Sequence, residues 1–250
     1  MKAILTYHSV DDTGSVISVS PATFERHVRW LAASQVDVVP LADLVQGASS
    51  RDAVAITFDD AYTNFESDAW PRLREYGLPV TLFVPTGFVG RENTWRELPG
   101  GRMPRLPIMG WPALAKLREE GVHLGAHTRR HPDLRTLEPA AAAEEINGSF
   151  EDLARETGAR ARTFAYPYGF WTAGAAATVR AACDVACTTE LRLLRANEDP
   201  HLLPRLDSYY LDGPGRREQF GRASFREYFR LRAWMRTVGR LVRRAPGYGR

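Results

Sequence analysis

Residues 53–60 read AVAITFDD, an uninterrupted run of apolar and β-branched residues that stops on two carboxylates. A run of this kind, without polar alternation, is typical of a strand buried on both faces, as in a parallel sheet. Similar runs recur along the chain. They predict the strands Ala3–His8, Val36–Pro40, Ala53–Phe58, Pro79–Val84, Val122–Ala126, Thr163–Pro167 and Asp184–Thr188.

Helical patterns lie between these strands. Ser20 and Pro21 provide an N-cap and a first-turn proline for a helix that ends near Ala33. Further helices are predicted over Glu66–Tyr76, Pro112–Glu120, Glu138–Thr157 and Thr172–Ala182. This alternation predicts an α/β fold with a parallel sheet, either a barrel or a doubly wound sheet. In both folds the chemistry gathers at the carboxyl ends of the strands.

The composition is that of a globular protein, with 44% hydrophobic and 25% charged residues among 250. It excludes a largely disordered chain, and the length allows one large domain or two small ones. No apolar run is long enough for a transmembrane helix, and the start turns polar too early for a signal peptide, so we expect a cytoplasmic protein. The only cysteines, Cys183 and Cys187, are too few for a disulfide framework.

The net charge of +3 is unevenly distributed along the chain. Residues 213–250 hold 11 arginines against two glutamates, a balance of +9. Residues 1–212 hold 22 basic and 28 acidic residues, a balance of −6. The preference for arginine over lysine runs through the whole chain, so we do not expect a nucleic-acid partner.

The basic tail has the pattern of an amphipathic helix. Its apolar stripe consists of Leu231, Trp234, Met235, Val238, Leu241 and Val242. A second, basic stripe consists of Arg232, Arg236, Arg240 and Arg243. The body of the protein, an anionic membrane or a partner would each cover the apolar stripe. Peripheral membrane contact through residues 225–244 is therefore one expectation.

Three polar clusters follow predicted strands. Asp59 and Asp60 repel one another unless a cation or a proton intervenes, although aspartate is also common at the start of a helix. His127 and His131 are four residues apart, a spacing that suits a shared metal ion; solvated or capping histidines are the alternative. The sequence YPYG at 166–169 predicts a tight turn, which could point a backbone N–H at a ligand.

Together these clusters resemble the motifs of the polysaccharide deacetylase family, the NodB-homology domain of carbohydrate esterase family 4. The resemblance spans Ala3 to Leu211. The matching motifs are TFDD at 57–60, HTRRH at 127–131 and FAYPYG at 164–169. Two further segments resemble the exopolysaccharide-associated branch of the family: YH at 7–8 and LPR at 203–205.

The resemblance implies a distorted (β/α)7 barrel, which we place at residues 1–212; the basic helical tail follows at 213–250. It also implies a divalent metal held by Asp60, His127 and His131. One carboxylate and two imidazoles leave a coordination position open, as catalytic sites do, and this mixed donor set favours zinc.

The same resemblance implies that Asp59 is the general base and that the backbone N–H of Tyr168 donates to an oxyanion. Many family members also carry an arginine in the third motif that tethers the base through a partner aspartate. Here that position is Ala165, and Arg162 is nearby but out of register. No Asp-x-x-Asp-Trp motif follows, so we expect a site without this tether.

Histidines and aromatic residues complete the expected site. His201, the only histidine after the third motif, is the candidate acid, with a loop histidine as the alternative. His8 ends the first strand and is expected to support the site or contact the substrate. The other expected substrate contacts are Tyr166, Pro167, Gly169, Trp95 and Trp111, with packing as the alternative for the two tryptophans.

These expectations describe a metal-dependent hydrolase that removes an N-acetyl group, or less favourably an O-acetyl group, from a saccharide or glycolipid. Two alternatives remain open. One is the same metal barrel acting on a cyclic imide, a formamide or a small natural product, and the other is a catalytically weak saccharide-binding protein. Retention of both Asp59 and Asp60 argues against the second, because binding alone needs no base beside a metal ligand. The sequence leaves the oligomeric state open.

Overall fold

The computed structural model of the chain describes residues 1–95 and 104–244, with side chains as far as residue 236. The strands are β1 Lys2–Tyr7, β2 Ser9–Val10, β3 Ser18–Val19, β4 Asp37–Val38, β5 Ala53–Phe58, β6 Val80–Val84, β7 His123–Ala126, β8 Thr163–Ala165, β9 Val185–Cys187 and β10 Leu206–Asp207. The main sheet is parallel, in the order β10-β1-β5-β6-β7-β8-β9, with β4 beside β5. The strand β2 pairs separately with β3.

The segment that follows β9 closes the sheet. Leu203 forms a parallel bridge with Cys187 at the end of β9, and Leu206 of β10 pairs with Leu5 of β1. The first and last strands of the sheet are therefore joined through residues 203–206. The sheet curls into a distorted barrel, which confirms the predicted α/β barrel.

The helices are α1 Pro21–Ala33, α2 Leu41–Gln46, α3 Trp70–Glu75, α4 Trp111–Glu119, α5 Pro139–Thr157, α6 Ala173–Ala182 and α7 Ala223–Arg244. The predicted N-cap is present, since the Ser20 hydroxyl accepts the Thr23 N–H at 3.2 Å. The helix predicted over Glu66–Tyr76 is divided into a π-type turn and α3, which begins just before Pro71. Proline lacks the N–H that a continuous helix requires, which explains the division. Among the described residues no helix combines the length and apolarity needed to span a bilayer.

Apolar side chains fill both faces of the curved sheet. Alternate strand residues point to opposite faces, so Leu5 belongs to the larger cluster beneath the helices and Ile4 to a smaller one on the other face. Leu41 and Leu44 of α2 cover this smaller cluster. Burial of the strands on both faces explains why their sequences read as continuous apolar runs.

The chain after residue 212 leads into α7, and its separation as a domain stays a prediction. Phe225 and Phe229 are buried in the main core, so the first turns of the helix pack on the body. The next apolar residues are exposed: Leu231, Trp234 and Met235. Other residues of the two predicted stripes lie outside the described side chains: Val238, Arg240, Leu241, Val242 and Arg243.

We predict that His27 makes the protein sensitive to acid. Its ring is buried on α1, where Nδ1 lies 3.1 Å from the Tyr7 hydroxyl and Nε2 has no hydrogen-bond partner among the described residues. Burial lowers the pKa of His27 to about 4. The unfolded chain binds this proton near pH 6.5, so protonation favours unfolding as the pH falls from 6.5 to 4 and then has no further effect. Protonation of this histidine lowers the free energy of unfolding by about 3 kcal/mol.

Urea unfolding from pH 7 to pH 4 tests this prediction, with His27→Gln as the comparison. The variant lacks the titrating ring, so its free energy of unfolding should fall less steeply with acid than that of the wild type. Parallel curves for the two proteins would assign the acid sensitivity to other groups.

Candidate metal centre and active site

The three polar clusters lie at one edge of the barrel. Asp59 and Asp60 follow β5, His127 and His131 follow β7, and the turn at 166–169 follows β8. The carboxyl ends of parallel strands share an edge, and β6 and β7 connect β5 to β8 in the sheet. Residues far apart in the sequence are thereby brought together.

Asp60, His127 and His131 form a buried cluster that fits a metal ion. The Asp60 Oδ1 lies 3.6 Å from His127 Nε2 and 3.5 Å from His131 Nε2. All three donor atoms lie within 4.8 Å of one another. The Oδ1 atom is buried and has no hydrogen-bond partner among the described residues. A buried carboxylate oxygen without a donor is costly unless a cation or a proton neutralises it, so this donor set fits a divalent ion.

Neighbouring groups orient these donors. His127 Nδ1 lies 2.6 Å from the Ala165 carbonyl, which places the ring proton on Nδ1 and leaves the Nε2 lone pair facing Asp60. The Tyr62 hydroxyl donates to Asp60 Oδ2 at 3.0 Å, and Asn93 donates to that hydroxyl at 3.1 Å. Asn93, in the loop after β6, therefore helps to orient the Asp60 carboxylate through Tyr62.

Burial also sets the protonation of the cluster. It raises the pKa of Asp60, which favours a proton or a cation at this carboxylate. Burial, together with the neighbouring His127, lowers the pKa of His131 well below its usual value. A neutral imidazole is the form that binds a metal.

The backbone of the three clusters is unusual. Five residues other than glycine have positive φ in the described parts of the chain, and all of them lie in these clusters or directly beside them: Asp60 at 72°, Ala61 at 53°, Thr128 at 62°, His131 at 53° and Tyr168 at 57°. Left-handed backbone is unfavourable for these residue types and persists where surrounding contacts impose it. Such strain is concentrated at functional sites.

Asp59 is paired with a buried arginine. Arg205 Nη1 and Nη2 donate to the two Asp59 carboxylate oxygens, each at 2.7 Å. The guanidinium also donates through Nε to the Thr188 carbonyl at 2.9 Å. Burial alone would raise the pKa of Asp59, but the charge and hydrogen bonds of Arg205 outweigh it and hold this pKa well below its usual range. The carboxylate is therefore kept ionised.

This pair corrects the expectation of a missing tether. That expectation rested on Ala165 in the third motif, on the absence of a later Asp-x-x-Asp-Trp motif, and on Arg162, which pairs with Asp184 instead. The arginine that holds Asp59 comes from the segment that closes the barrel. The sequence held one signal for it, the LPR segment at 203–205, whose resemblance to the family carried no assigned role.

His8 lies beside the same carboxylate. Its Nε2 is 3.7 Å from Asp59 Oδ2, and its side chain is 27% exposed. Asp59 itself is buried, so His8 is the partly exposed group on this side of the site.

His201 is not brought to the site. Its Nε2 lies 3.0 Å from the carbonyl of Cys183, just before β9 begins. The segment containing His201 runs parallel to β9, and its Leu203 reaches the strand's carboxyl end. The candidate site also lies at the carboxyl ends of the strands, so the structure contradicts the expected placement of His201 as an acid at the site.

The third cluster forms a tight turn beside the candidate metal ligands. The Tyr168 ring lies 4.6 Å from the His131 ring, and the Tyr168 carbonyl accepts the Thr189 hydroxyl at 3.0 Å. A Cβ at Gly169 would overlap Thr189, so only glycine fits there. Tyr166 and Pro167 are buried and support the turn, and their role as substrate contacts stays a prediction.

The two tryptophans have different surroundings. The Trp95 ring lies 4.7 Å from the His131 ring, which places it at the site. Trp111 begins α4 and packs, half buried, against the larger apolar cluster. The packing alternative therefore describes Trp111, whereas Trp95 packs directly on a metal-ligand candidate.

Comparison with known proteins identifies related sequences. Residues 46–184, more than half of the chain, match the family model described as polysaccharide deacetylase. The chain is 24% identical over 203 residues to the poly-beta-1,6-N-acetyl-D-glucosamine N-deacetylase of Staphylococcus aureus (strain MSSA476), covering 76% of this chain and 67% of that protein. It is 28% identical over 151 residues to YxkH of Bacillus subtilis (strain 168), covering 58% of this chain and 49% of that protein. The chain thus matches about half the length of YxkH.

Solved structures share the fold. IcaB from Ammonifex degensii superposes with a TM-score of 0.70 at 23% identity, covering 87% of this chain and 94% of that chain. The Streptococcus pyogenes deacetylase PplD superposes with a TM-score of 0.70 at 20% identity, covering 82% of this chain and 91% of that chain. Both likenesses agree with the barrel described above.

Proposed function

Because this chain belongs to the polysaccharide deacetylase family, we propose that it is a metal-dependent hydrolase that removes N-acetyl groups from a saccharide. The observation that carries the proposal is the buried Asp60–His127–His131 cluster beside a second carboxylate, Asp59, that Arg205 keeps ionised. A saccharide-binding protein would need neither an ionised base nor an open metal position beside it.

The metal centre defines the first part of the mechanism. Asp60, His127 and His131 would hold the ion, and their donor set favours zinc. A divalent ion bound there would supply Lewis-acid polarisation of the acyl oxygen and of water.

The other groups of the site handle protons and developing charge. Asp59 takes a proton from the attacking water as its oxygen adds to the acyl carbon. The backbone N–H of Tyr168 donates to the oxygen that becomes negative. The carbon–nitrogen bond then breaks, the amine takes a proton, and acetate leaves. His8, on the Asp59 side of the site, is our candidate for the group that protonates the amine.

The substrate proposal starts from the curated relative in Staphylococcus aureus. We propose oligosaccharides of β-1,6-linked N-acetylglucosamine as the first substrates to test, in free or lipid-linked form. The assay is acetate release by the metal-free protein before and after addition of Zn²⁺.

Cyclic imides and N-formyl amines belong in the same panel, scored for ring opening and formate. Metal-dependent turnover of those compounds without acetate release would replace the saccharide proposal. Binding of the oligosaccharide without turnover of any compound would favour a saccharide-binding protein.

The role of His8 is tested by comparing two histidine variants. His8→Gln removes the candidate proton donor for the amine, so we expect kcat to fall by about 10²–10⁴-fold, the usual contribution of a general acid. His201→Gln should retain wild-type kcat because its ring contacts the carbonyl of Cys183, away from the site. Acetate release under saturating substrate measures both effects. If the His201 variant lost activity and the His8 variant did not, the general acid would be His201 and not His8.

We also propose that α7 contacts an anionic membrane surface. Leu231, Trp234 and Met235 are exposed by 55%, 63% and 40% on a helix rich in arginine. Basic residues near an anionic surface contribute about 1 kcal/mol each, and salt weakens this contribution. The exposed apolar side chains would enter the interface while the arginines meet the headgroups.

Sedimentation with phosphatidylglycerol vesicles tests this contact. We expect the full chain to sediment at low salt and to be released at high salt, whereas the double variant Leu231→Ser/Trp234→Ser should stay in solution. This variant keeps Phe225 and Phe229, which are part of the core and would be lost in a chain ending near Gly221. Equal sedimentation of wild type and variant would exclude these residues as the membrane contact.

A further inference from the structure

Helix α5 holds the loop that carries the two metal-ligand histidines. This loop has left-handed backbone at Thr128 and His131, with φ of 62° and 53°. Within the loop, the His131 N–H donates to the Thr128 hydroxyl at 3.0 Å. This bond satisfies one N–H group of the loop, so contacts from neighbouring elements must help to satisfy the others and to determine the shape of the loop.

Glu145 of α5 provides such a contact. Its Oε2 accepts the backbone N–H of Arg129 at 3.1 Å and that of Arg130 at 2.7 Å. The carboxylate is nearly buried, with the residue 7% exposed. Its other oxygen lies 3.1 Å from Arg130 Nε. A single side chain therefore binds two consecutive N–H groups between the histidines, and the partly buried setting strengthens these charge-assisted hydrogen bonds.

The Arg129 side chain fixes the same loop to α5 at a second point. Its Nε and Nη2 donate to the two oxygens of Asp152 at 2.9 and 3.1 Å. Thr86 also donates to this carboxylate, at 2.8 Å. The guanidinium lies against Gly148, where any Cβ would overlap it. The loop thus rests on α5 through both its backbone and a side chain.

We propose that Glu145 is a positioning residue that sets the spacing of His127 and His131 and thereby the affinity for the metal. The inference rests on the metal centre proposed above and deepens it. Without Glu145 the two N–H groups would lose their acceptor, and the strained loop would relax toward more favourable backbone angles. The two Nε2 atoms would then no longer converge with Asp60 Oδ1. Glu145 touches none of these three donors, so its effect passes through the loop.

The test is the affinity of the metal-free protein for Zn²⁺, measured by competition with a chromophoric chelator. We expect Glu145→Ala to weaken Zn²⁺ binding by about 10–100-fold, the usual cost of losing a group that orients metal ligands. Glu145→Gln keeps an acceptor oxygen and should restore most of the affinity. Glu144→Ala is the matched control, because the Glu144 side chain is 68% exposed and only approaches the Arg129 guanidinium, at 3.8 Å.

A spectroscopic measurement separates positioning from a general loss of structure. The absorption spectrum of the Co²⁺-loaded protein reports ligand geometry, and we expect it to change in Glu145→Ala but not in Glu144→Ala. If Glu145→Ala does not fold, Glu145→Asp, which withdraws the carboxylate by one methylene, should show the same change in weaker form. Wild-type Zn²⁺ affinity and an unchanged Co²⁺ spectrum in a folded Glu145 variant would overturn the inference. Failure of the wild type to bind either metal would instead overturn the proposed centre.

Discussion

Replacement of His127 by alanine is expected to abolish metal binding and, with it, acetate release. His127 supplies one of three converging donor atoms, and its Nε2 lies 3.6 Å from Asp60 Oδ1. Removing a group that only orients a metal ligand costs about 10–100-fold in affinity, so losing a ligand should cost at least about 10²-fold. Zn²⁺ binding by equilibrium dialysis and acetate release on the same preparation measure the two losses together.

His123→Ala is the matched control for this prediction. His123 begins β7, the strand that leads to His127, and its side chain is exposed at the opposite end of the strand. We expect this variant to bind Zn²⁺ and release acetate as the wild type does. If His127→Ala still bound one Zn²⁺ per chain with the wild-type affinity, His127 would not be a ligand of the metal centre.

Sequence patterns predicted a parallel α/β fold, and the family resemblance added the barrel and the cluster of candidate metal ligands. Each candidate ligand follows a strand, and the continuous apolar run of β5 before Asp60 depends only on local sequence and burial. Once the strands are parallel and adjacent, their carboxyl ends must share an edge. The convergence of Asp60, His127 and His131 follows from this topology and does not require the exact course of the loops.

The tether of Asp59 could not be predicted in the same way. Arg205 precedes β10, a strand of two residues that is too short to show any periodicity. Its position depends on how the chain returns along β9 and closes the barrel, which is a long-range property. The same return places His201 at the opposite end of β9, so the course of this one segment explains both the missed arginine and the misplaced acid.

Asp59→Asn is expected to retain the metal and lower kcat by about 10²–10⁴-fold, the usual contribution of a general base. The substitution preserves the shape of the side chain but removes its ability to take a proton from water. It also leaves the Arg205 guanidinium buried without its counter-charge. Breaking a buried ion pair by removing one partner costs about 3–5 kcal/mol, so the variant should also unfold at a lower urea concentration.

A double variant separates these two effects. Asp59→Asn/Arg205→Gln replaces both partners with neutral groups, so no unpaired charge remains buried and much of the lost stability should return. If Asp59 is the base, kcat of the double variant stays as low as that of Asp59→Asn, although its free energy of unfolding recovers. If Asp59 only stabilises the barrel through Arg205, kcat recovers together with stability. Zinc content, urea unfolding and acetate release on wild type and both variants distinguish these outcomes, and recovery of kcat in the double variant would assign proton transfer to another group.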